Sequence, residues 1–341
     1  MTSALRSVLL GAGLSALALG SAAQSPAKTP ADGSAKAAAQ AEAPEDAPKQ
    51  TRPQHVRGPG HPYADVPGSG PCQELVARLP NVKKPLCEAA ELVPTVGRSV
   101  QGRTLYQRDV VSGNPKIKVL VIGAMHGDEL SSAAVALHWI QHATEMSSNA
   151  HWRFIPALNP DGLMKRPATR TNAAGVDLNR NFPTPDWDRD ALKYWKNRTR
   201  KDKRRYPGPY PLSEPESQYL YDEIERFDPD LLVSIHAPYG VLDFDGPTVP
   251  PDRLGRLYLD QVGIYPGSLG NFGGVHKGMP VVTVELNSAF RTPLNAEMRQ
   301  MWLDLLRWMG EHVKPEGQNR ARPIPVDGSE KDRQQKLKKT S

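Results

Sequence analysis

The chain has 341 residues, of which 38% are hydrophobic, 23% are charged and only 6% are aromatic, and its formal net charge is +6 at pH 7. This length is sufficient for one sizeable hydrophobic core with additional segments. The 33 prolines and the scarcity of aromatic residues exclude a chain that is packed throughout as one domain.

Residues 1–23 have the pattern of a cleaved secretory signal peptide. A single basic residue, Arg6, precedes an apolar stretch at residues 8–19, and small residues follow at positions 21–23. The apolar stretch is too short to span a bilayer, which needs about 20 residues. We therefore expect a periplasmic or secreted protein without a membrane span after cleavage.

Two segments precede the main domain. Residues 24–70 are mainly Ala, Pro, Lys, Gln and Gly, and they cannot bury enough apolar surface to offset their ordering entropy, so we predict a disordered tether. Cys72 and Cys87 are the only cysteines. In an exported protein their even number and local spacing favour a disulfide bond that closes a small helical segment at residues 71–95. Two free buried thiols are the alternative.

The first strands of the main domain can be predicted from their apolar patterns. Residues 96–111 alternate apolar and polar side chains around Gly102, which is typical of a β-hairpin. The apolar run at residues 119–122 is followed by His126 and Glu129, which predicts a buried strand ending in a loop with metal-ligand spacing. A helix N-terminus beside an ordinary surface histidine would give the same pattern.

Two later apolar runs end in the same way. Residues 231–236 (LLVSIH) end in His236, and residues 281–285 (VVTVE) end in Glu285. Parallel sheets place their active sites beyond the carboxyl ends of such strands, so each run delivers one ionisable residue where chemistry is expected. This recurrence favours a functional site over isolated surface residues.

The remaining elements are a further strand and three helices. We predict a strand at residues 152–157 and helices at residues 130–146, 213–227 and 292–313. In the second of these helices, Ser213 followed by Glu216 matches a capping box, with Ser213 as the N-cap residue.

Seven motifs follow one another along the chain: HGDE, NPDG, GVDLNRNF, YPGPYPLSEPE, SIHAPYG, YPGSLG and TVEL. With them, the chain resembles the zinc carboxypeptidases, the family that includes pancreatic carboxypeptidase A, and more narrowly the bacterial murein peptide amidases. The resemblance implies an α/β fold, a three-layer α/β/α sandwich with a central mixed twisted sheet. It places the catalytic domain at residues 96–314. Residues 315–341 are polar and basic, and we predict that they form a disordered tail.

The resemblance also implies a metal site and a catalytic base. One Zn²⁺ per chain would be held by His126, Glu129 and His236, with a fourth position left for water. Glu285 matches the family's general base, which takes a proton from the zinc-bound water. The chain would then be a zinc metallocarboxypeptidase-type peptide hydrolase.

Further residues match the family's substrate-binding positions. Arg170 aligns with the arginine that polarises the scissile carbonyl group. Asn179 and Arg180 match the pair that binds the terminal carboxylate, for which guanidinium offers a bidentate fork. The family's tyrosine over the carboxylate has no single match, and three tyrosines remain possible, namely Tyr239, Tyr258 and Tyr265.

The narrower resemblance implies peptidoglycan peptides as substrates, cut at the bond between γ-D-glutamate and meso-diaminopimelate. Asp243 and Asp245 would pair with the second ammonium group of diaminopimelate, although both are also typical turn residues in DFDGP. Whether the substrate is a free peptide or intact wall stays open. An ordinary peptide carboxypeptidase and a catalytically inactive cell-wall binding protein are the alternatives.

The segment at residues 193–205 is strongly basic, with eight Lys or Arg residues against one acid. We predict that it docks the protein on an anionic polymer such as the cell wall, and a solvated charge run is the alternative. Export argues against nucleic acid as the partner.

Overall fold

The computed structural model describes residues 70–315 of the protein. The predicted signal peptide, tether and basic tail lie outside these residues, apart from Gly70 and Pro315 at their boundaries. The helices are α1 (Cys72–Arg78), α2 (Lys84–Ala89), α3 (Leu130–Glu145), α4 (Pro160–Met164), α5 (Trp187–Asn197), α6 (Pro215–Phe227) and α7 (Asn295–His312). The strands are β1 (Val93–Arg98), β2 (Thr104–Val111), β3 (Ile117–Ile122), β4 (Ala150–Ile155), β5 (Leu231–His236), β6 (Val241–Asp245), β7 (Arg253–Leu254), β8 (Leu257–Tyr258) and β9 (Val281–Glu285). Shorter helical turns lie at Leu178–Arg180, Lys203–Arg205 and Asn271–His276, of which the last is a π-helix.

Seven of these strands form a mixed sheet in the order β1-β2-β4-β3-β5-β9-β6. The four central strands, β4, β3, β5 and β9, are parallel, and antiparallel strands flank them on both sides. Strands β7 and β8 form a separate two-stranded sheet. The predicted mixed sheet is therefore confirmed. Because β3, β5 and β9 are parallel, their carboxyl ends lie at the same edge of the sheet.

Alternate side chains of the buried strands enter two different cores, as strand geometry requires. In β3, Val119 and Val121 pack on one face of the sheet, where α3 and α7 bring Trp139 and Trp302 into contact with their ring centroids 5.6 Å apart. Leu120 of the same strand belongs to the opposite core, beneath α6 and the π-helix. Helices therefore cover both faces of the sheet, which gives the predicted three layers.

The N-terminal helices α1 and α2 are joined by the predicted disulfide bond between Cys72 and Cys87. They share a core with α3 through Leu75 and other buried side chains. The guanidinium of Arg78 donates to the carbonyl oxygens of Leu163 (2.6 Å) and Lys165 (2.8 Å), which attaches α1 to the end of α4. Strand β1 begins at Val93, inside the segment predicted at residues 71–95.

The predicted capping box of α6 is wrong. The helix begins at Pro215 with Glu214 at its N-cap, since proline fits the first helical position, where its missing N–H costs no hydrogen bond. The Ser213 hydroxyl donates instead to Glu214 (2.7 Å), and the Glu216 carboxylate accepts from the Val100 amide (3.0 Å).

In residues 70–315, no helix combines the length and apolar character that crossing a bilayer requires.

Candidate metal centre

The sheet brings four of the predicted residues to one edge. His236 ends β5, and Glu285 is its register partner at the end of β9. His126 lies four residues beyond β3, and Glu129 is the residue before α3. All three metal-ligand candidates are nearly inaccessible to solvent, with residue exposures of 2% for His126, 4% for Glu129 and 1% for His236.

The three side chains converge on one point. One donor atom from each lies within 4.8 Å of the others, and within residues 70–315 no other His, Cys, Asp or Glu cluster has this arrangement. Nδ1 of His126 is 2.8 Å from Oε1 of Glu129. Nδ1 of His236 is 3.0 Å from Oε2 of Glu129 and 3.0 Å from Nδ1 of His126.

Hydrogen bonds on the outer side of each histidine ring favour the tautomer that a metal requires. Nε2 of His126 lies 3.1 Å from Oδ1 of Asp177, and Nε2 of His236 lies 2.8 Å from the Ser234 hydroxyl. With the proton on Nε2, a neutral ring directs the lone pair of Nδ1 towards the cluster. Two such lone pairs and a carboxylate repel one another unless a cation lies between them. The residues present therefore fit a zinc ion, for which this is a common donor set.

The charges of the cluster are strongly coupled. Burial alone would raise the pKa of the Glu129 carboxyl, but His126 and His236 outweigh burial and lower it. Burial would also raise the pKa of Asp177, and Arg170 and His126 hold it well below its usual range instead. Both carboxylates are thus anionic beside the histidines, which strengthens the attraction for a cation.

Arg170 lies directly against this centre. Its Nε donates to Oδ2 of Asp177 (3.1 Å), and its Nη1 is 3.6 Å from Oε1 of Glu129. The Asn159 side chain holds the Arg170 backbone in this position. Its amide nitrogen donates to the Arg170 carbonyl (3.1 Å), and its oxygen accepts from the Gly162 amide at the start of α4 (2.9 Å). The NPDG turn therefore fixes the backbone of Arg170 beside the cluster.

Arg180 is buried close by, at 6% exposure. Its guanidinium lies 4.3 Å from the ring centre of Tyr265, and within the described residues its buried Nε has no hydrogen-bond partner. Gly267 makes this contact possible, because its φ of 76° suits glycine and a Cβ there would collide with the Arg180 carbonyl. Asn179 accepts a hydrogen bond from the Leu269 amide (2.8 Å), which attaches it to the same YPGSLG turn.

Glu285 is 7% exposed, and among residues 70–315 its buried Oε2 lacks a hydrogen-bond partner. Burial raises the pKa of its carboxyl, while His236 acts in the opposite direction. The Tyr239 backbone amide hydrogen-bonds the same carboxyl. An unpartnered carboxylate oxygen near His126, Glu129 and His236 is available to accept a proton.

Asp243 and Asp245 lie on β6, on the same face of the sheet as Glu285. Asp243 is the register partner of Thr283 and accepts a hydrogen bond from the Val262 amide (3.2 Å). Burial raises the pKa of both carboxyls, and that of Asp245 reaches about 6 with a further contribution from Asp243. A cationic group close to these two carboxyls would favour their charged forms.

Two residues of the centre were not identified from the sequence. Asp177 is two positions before Asn179 in GVDLNRNF, and Ser234 is two positions before His236 on the same face of β5. Strand periodicity was a usable signal for Ser234.

Among the three candidate tyrosines, only Tyr265 contacts Arg180 in the structure, whereas Tyr239 and Tyr258 are 57% and 62% exposed.

Comparison with known proteins identifies several relatives. Residues 88–244 match the zinc carboxypeptidase family. Murein peptide amidase A from Escherichia coli strain K12 is 32% identical over 67% of this chain and 96% of that protein. Murein peptide amidase A from Vibrio campbellii is also 32% identical, over 61% of this chain and 82% of that protein. The crystal structure of murein-tripeptide amidase MpaA from Escherichia coli O157 matches 62% of this chain and 90% of that chain, with 28% identity and a TM-score of 0.45.

Proposed function

Because this chain belongs to the zinc carboxypeptidase family, and is therefore a metallopeptidase, we propose that it hydrolyses peptidoglycan peptides at the bond between γ-D-glutamate and meso-diaminopimelate. The similarity to murein peptide amidase A, which extends over almost all of that enzyme, supports the substrate class. The observation that carries the proposal is the convergence of His126, Glu129 and His236 beside the unpartnered carboxyl of Glu285.

The metal ligands proposed are Nδ1 of His126, a carboxylate oxygen of Glu129 and Nδ1 of His236. A zinc ion bound there supplies Lewis acidity, which polarises a carbonyl group and makes water acidic enough to react near neutral pH. Asp177 and Ser234 hold the two rings in the orientation that this binding requires.

The leaving residue binds on the side of Arg180. Its α-carboxylate lies against the Arg180 guanidinium, which Tyr265 covers, and against the side chain of Asn179. The buried and unpartnered Nε of Arg180 supports this role, since a buried donor without a partner is costly and a substrate carboxylate would satisfy it.

The chemical step is the hydrolysis of one amide bond. Glu285 takes a proton from the attacking water, whose oxygen bonds to the γ-carbonyl carbon of D-glutamate, and Arg170 stabilises the negative charge that develops on the carbonyl oxygen. Glu285 then gives the proton to the diaminopimelate nitrogen as the carbon–nitrogen bond breaks. The products are a γ-carboxylate and a free α-amine.

Asp243 and Asp245 would recognise the far end of diaminopimelate. The two acids share a face of the sheet with Glu285, so a side chain extending from the scissile bond along β6 reaches them. The second ammonium of diaminopimelate would satisfy both carboxyls, as a partly buried ion pair.

We also propose a periplasmic or secreted location. The residue pattern at positions 1–23 and the disulfide bond between Cys72 and Cys87 both support it, because structural disulfides persist in oxidising compartments.

Mass spectrometry of reaction products tests the function. Zinc-loaded protein is incubated with L-Ala-γ-D-Glu-meso-diaminopimelate and with α-linked peptides that end in Leu, Phe, Lys or Arg. We expect free diaminopimelate and L-Ala-D-Glu from the first and little release from the others. Release of ordinary C-terminal residues without diaminopimelate would identify a general carboxypeptidase. Inactivity on every peptide would favour an inactive wall-binding protein.

An Asp243→Asn variant tests the specificity site separately. We expect a loss of about tenfold or more in kcat/KM on the diaminopimelate tripeptide, since a charged hydrogen bond contributes about 1.5–3 kcal/mol. The same peptide ending in norleucine, which has no second ammonium, serves as the control substrate. Equal losses on both peptides would show that Asp243 does not recognise the ammonium.

A further inference from the structure

A cavity of about 690 Å³ opens beside Arg170. The residues that line it include Arg170, Thr171, Trp195, Lys196, Lys203 and Arg204. Its lining includes neither Arg180, Tyr265 nor Asp243, which form the proposed site of the leaving residue. Arg170, which is proposed above to stabilise the scissile carbonyl oxygen, is the residue that the cavity shares with the proposed catalytic site.

Contacts among residues 195–206 hold part of the cavity lining in a defined shape. The Trp195 indole donates to the Asp202 carbonyl (2.8 Å), and its ring lies 4.9 Å from that of Tyr206. The Tyr206 carbonyl in turn accepts from the Asp177 amide (2.8 Å). This part of the lining is therefore attached to Asp177, the residue that contacts His126. Arg200 and Lys201 have φ values of 55° and 59°, which few non-glycine residues adopt, and these contacts maintain the strained turn.

Of the four basic residues that line the cavity, Arg170 and Arg204 have acidic partners. Arg204 donates to the Asp128 carboxylate (2.7 Å), next to Glu129 in sequence. Within residues 70–315, Lys196 and Lys203 form no ion pair, and no acidic side chain lines the cavity. The two ammonium groups are thus free to bind an anionic group of the substrate.

The substrate proposed above has an anionic group on the residue that provides the scissile carbonyl, which we call the acyl residue. A glutamate linked through its γ-carboxyl keeps a free α-carboxylate a few bonds from the scissile carbonyl, whereas an α-linked residue has a neutral backbone there. We propose that the cavity is the binding site for the acyl residue, and that Lys196 and Lys203 recognise the free α-carboxylate of γ-linked D-glutamate. This inference rests on the proposed function and gives its specificity a second determinant.

Two tripeptides test the inference directly. One is L-Ala-γ-D-Glu-meso-diaminopimelate, and the other is identical except that the α-carboxylate of its D-glutamate is amidated. We expect the wild-type protein to prefer the acid by about tenfold or more in kcat/KM. Lys196→Gln/Lys203→Gln should bring the ratio close to one by lowering activity on the acid alone. Lys196→Arg/Lys203→Arg, which keeps both charges, should restore the preference.

Lys193 and Arg198 provide the matched control. Both belong to the basic segment at residues 193–205, both are exposed, and neither lines the cavity. Lys193→Gln/Arg198→Gln removes the same charge, so we expect it to keep the wild-type ratio. A ratio near one in the wild type, or an unchanged ratio in the Lys196 and Lys203 variant, would overturn the inference while the proposed function stands. If the wild type cleaves neither tripeptide, the proposed function fails and the inference fails with it.

Discussion

Burial of the Glu285 carboxyl lowers the stability of the folded protein. A buried polar atom without a partner destabilises a protein by about 1–3 kcal/mol, and Oε2 of Glu285 is such an atom within the described residues. Glu129, at similar depth, is fully engaged by His126 and His236. In the proposed mechanism the two carboxylates therefore have different roles, Glu129 as a metal ligand and Glu285 as a proton acceptor.

Substitution of these two residues separates the roles. Glu285→Gln should lower kcat by at least about a hundredfold, because the amide keeps the shape but cannot accept a proton from water. Its zinc content, measured by atomic emission, should stay near that of the wild type. Glu129→Gln is the matched variant and should lose the metal. Loss of zinc from Glu285→Gln would mean that Glu285 is itself a ligand.

At the scale of residues, the sequence was most informative where each functional side chain ends an apolar run. His236 and Glu285 are of this kind, and the strand pattern alone indicated them. Tyr265 could not be selected, because its position depends on the approach of the Gly267 turn to Arg180 across a large separation in sequence. Its neighbours along the chain contain no signal for that contact.

Helices α1 and α2 illustrate stabilisation at the scale of elements. They are only 7 and 6 residues long, too short to be stable as isolated helices, and they depend on packing and on the disulfide bond between Cys72 and Cys87. The bond closes a loop with a sequence separation of 15 residues.

Removal of the disulfide should destabilise the fold without removing the centre. Cys72→Ala/Cys87→Ala should lower the free energy of unfolding by about 3 kcal/mol in the chain-entropy model, measured by urea denaturation under non-reducing conditions. Zinc content should remain that of the wild type, since the pair lies in α1 and α2. An unchanged free energy of unfolding would show that packing alone holds these helices.

Glu216 connects the β1–β2 hairpin to α6. Its carboxyl is inaccessible to solvent and accepts from the Val100 amide (3.0 Å) and from the Asn172 side chain (3.0 Å). Burial raises its pKa to about 7, although these hydrogen bonds act in the opposite direction. The folded state therefore holds a proton in a pH range where the unfolded state has released it.

This pKa predicts a pH dependence of stability. The folded-state pKa is raised from 4.5 to about 7, so the stabilising contribution is complete below pH 4.5 and is lost as the pH rises through 7. Between pH 5 and pH 8, the free energy of unfolding should fall by about 1–3 kcal/mol more in the wild type than in Glu216→Gln. Urea denaturation at a series of pH values measures this difference. Parallel curves for the two proteins would rule out a raised pKa.

Elements with strong periodicity or a clear turn were predictable, and those made by tertiary contacts were not. Strands β3, β5 and β9 and helices α3 and α7 were predicted close to their observed bounds. The N-terminus of α6 was misassigned because proline at the first helical position took precedence over the capping-box pattern. The π-helix Asn271–His276 was not predicted, since its glycines are placed by tertiary contacts, Gly273 against Val281 and Gly274 against Asp245.

At the scale of the whole molecule, the parallel order of β3, β5 and β9 is what creates the centre. It gathers residues separated by more than a hundred positions, such as His126 and His236, at one edge of the sheet. Strand order is a property of the complete fold, so the seven motifs indicated the family while the apolar pattern alone did not fix the neighbours of each strand. The cavity beside Arg170 likewise exists only once α5 and the following loop pack next to that residue.

The most direct measurement is a zinc titration of chelator-stripped protein, followed by hydrolysis of the γ-D-glutamyl-diaminopimelate tripeptide. Activity should be absent without metal, rise in proportion to added zinc and level off at about one equivalent per chain. His236→Ala should neither bind zinc tightly nor regain activity, because two ligands cannot hold the metal against competing chelator. Full activity in the stripped wild-type protein, or full recovery of His236→Ala at one equivalent, would contradict a catalytic zinc held by His126, Glu129 and His236.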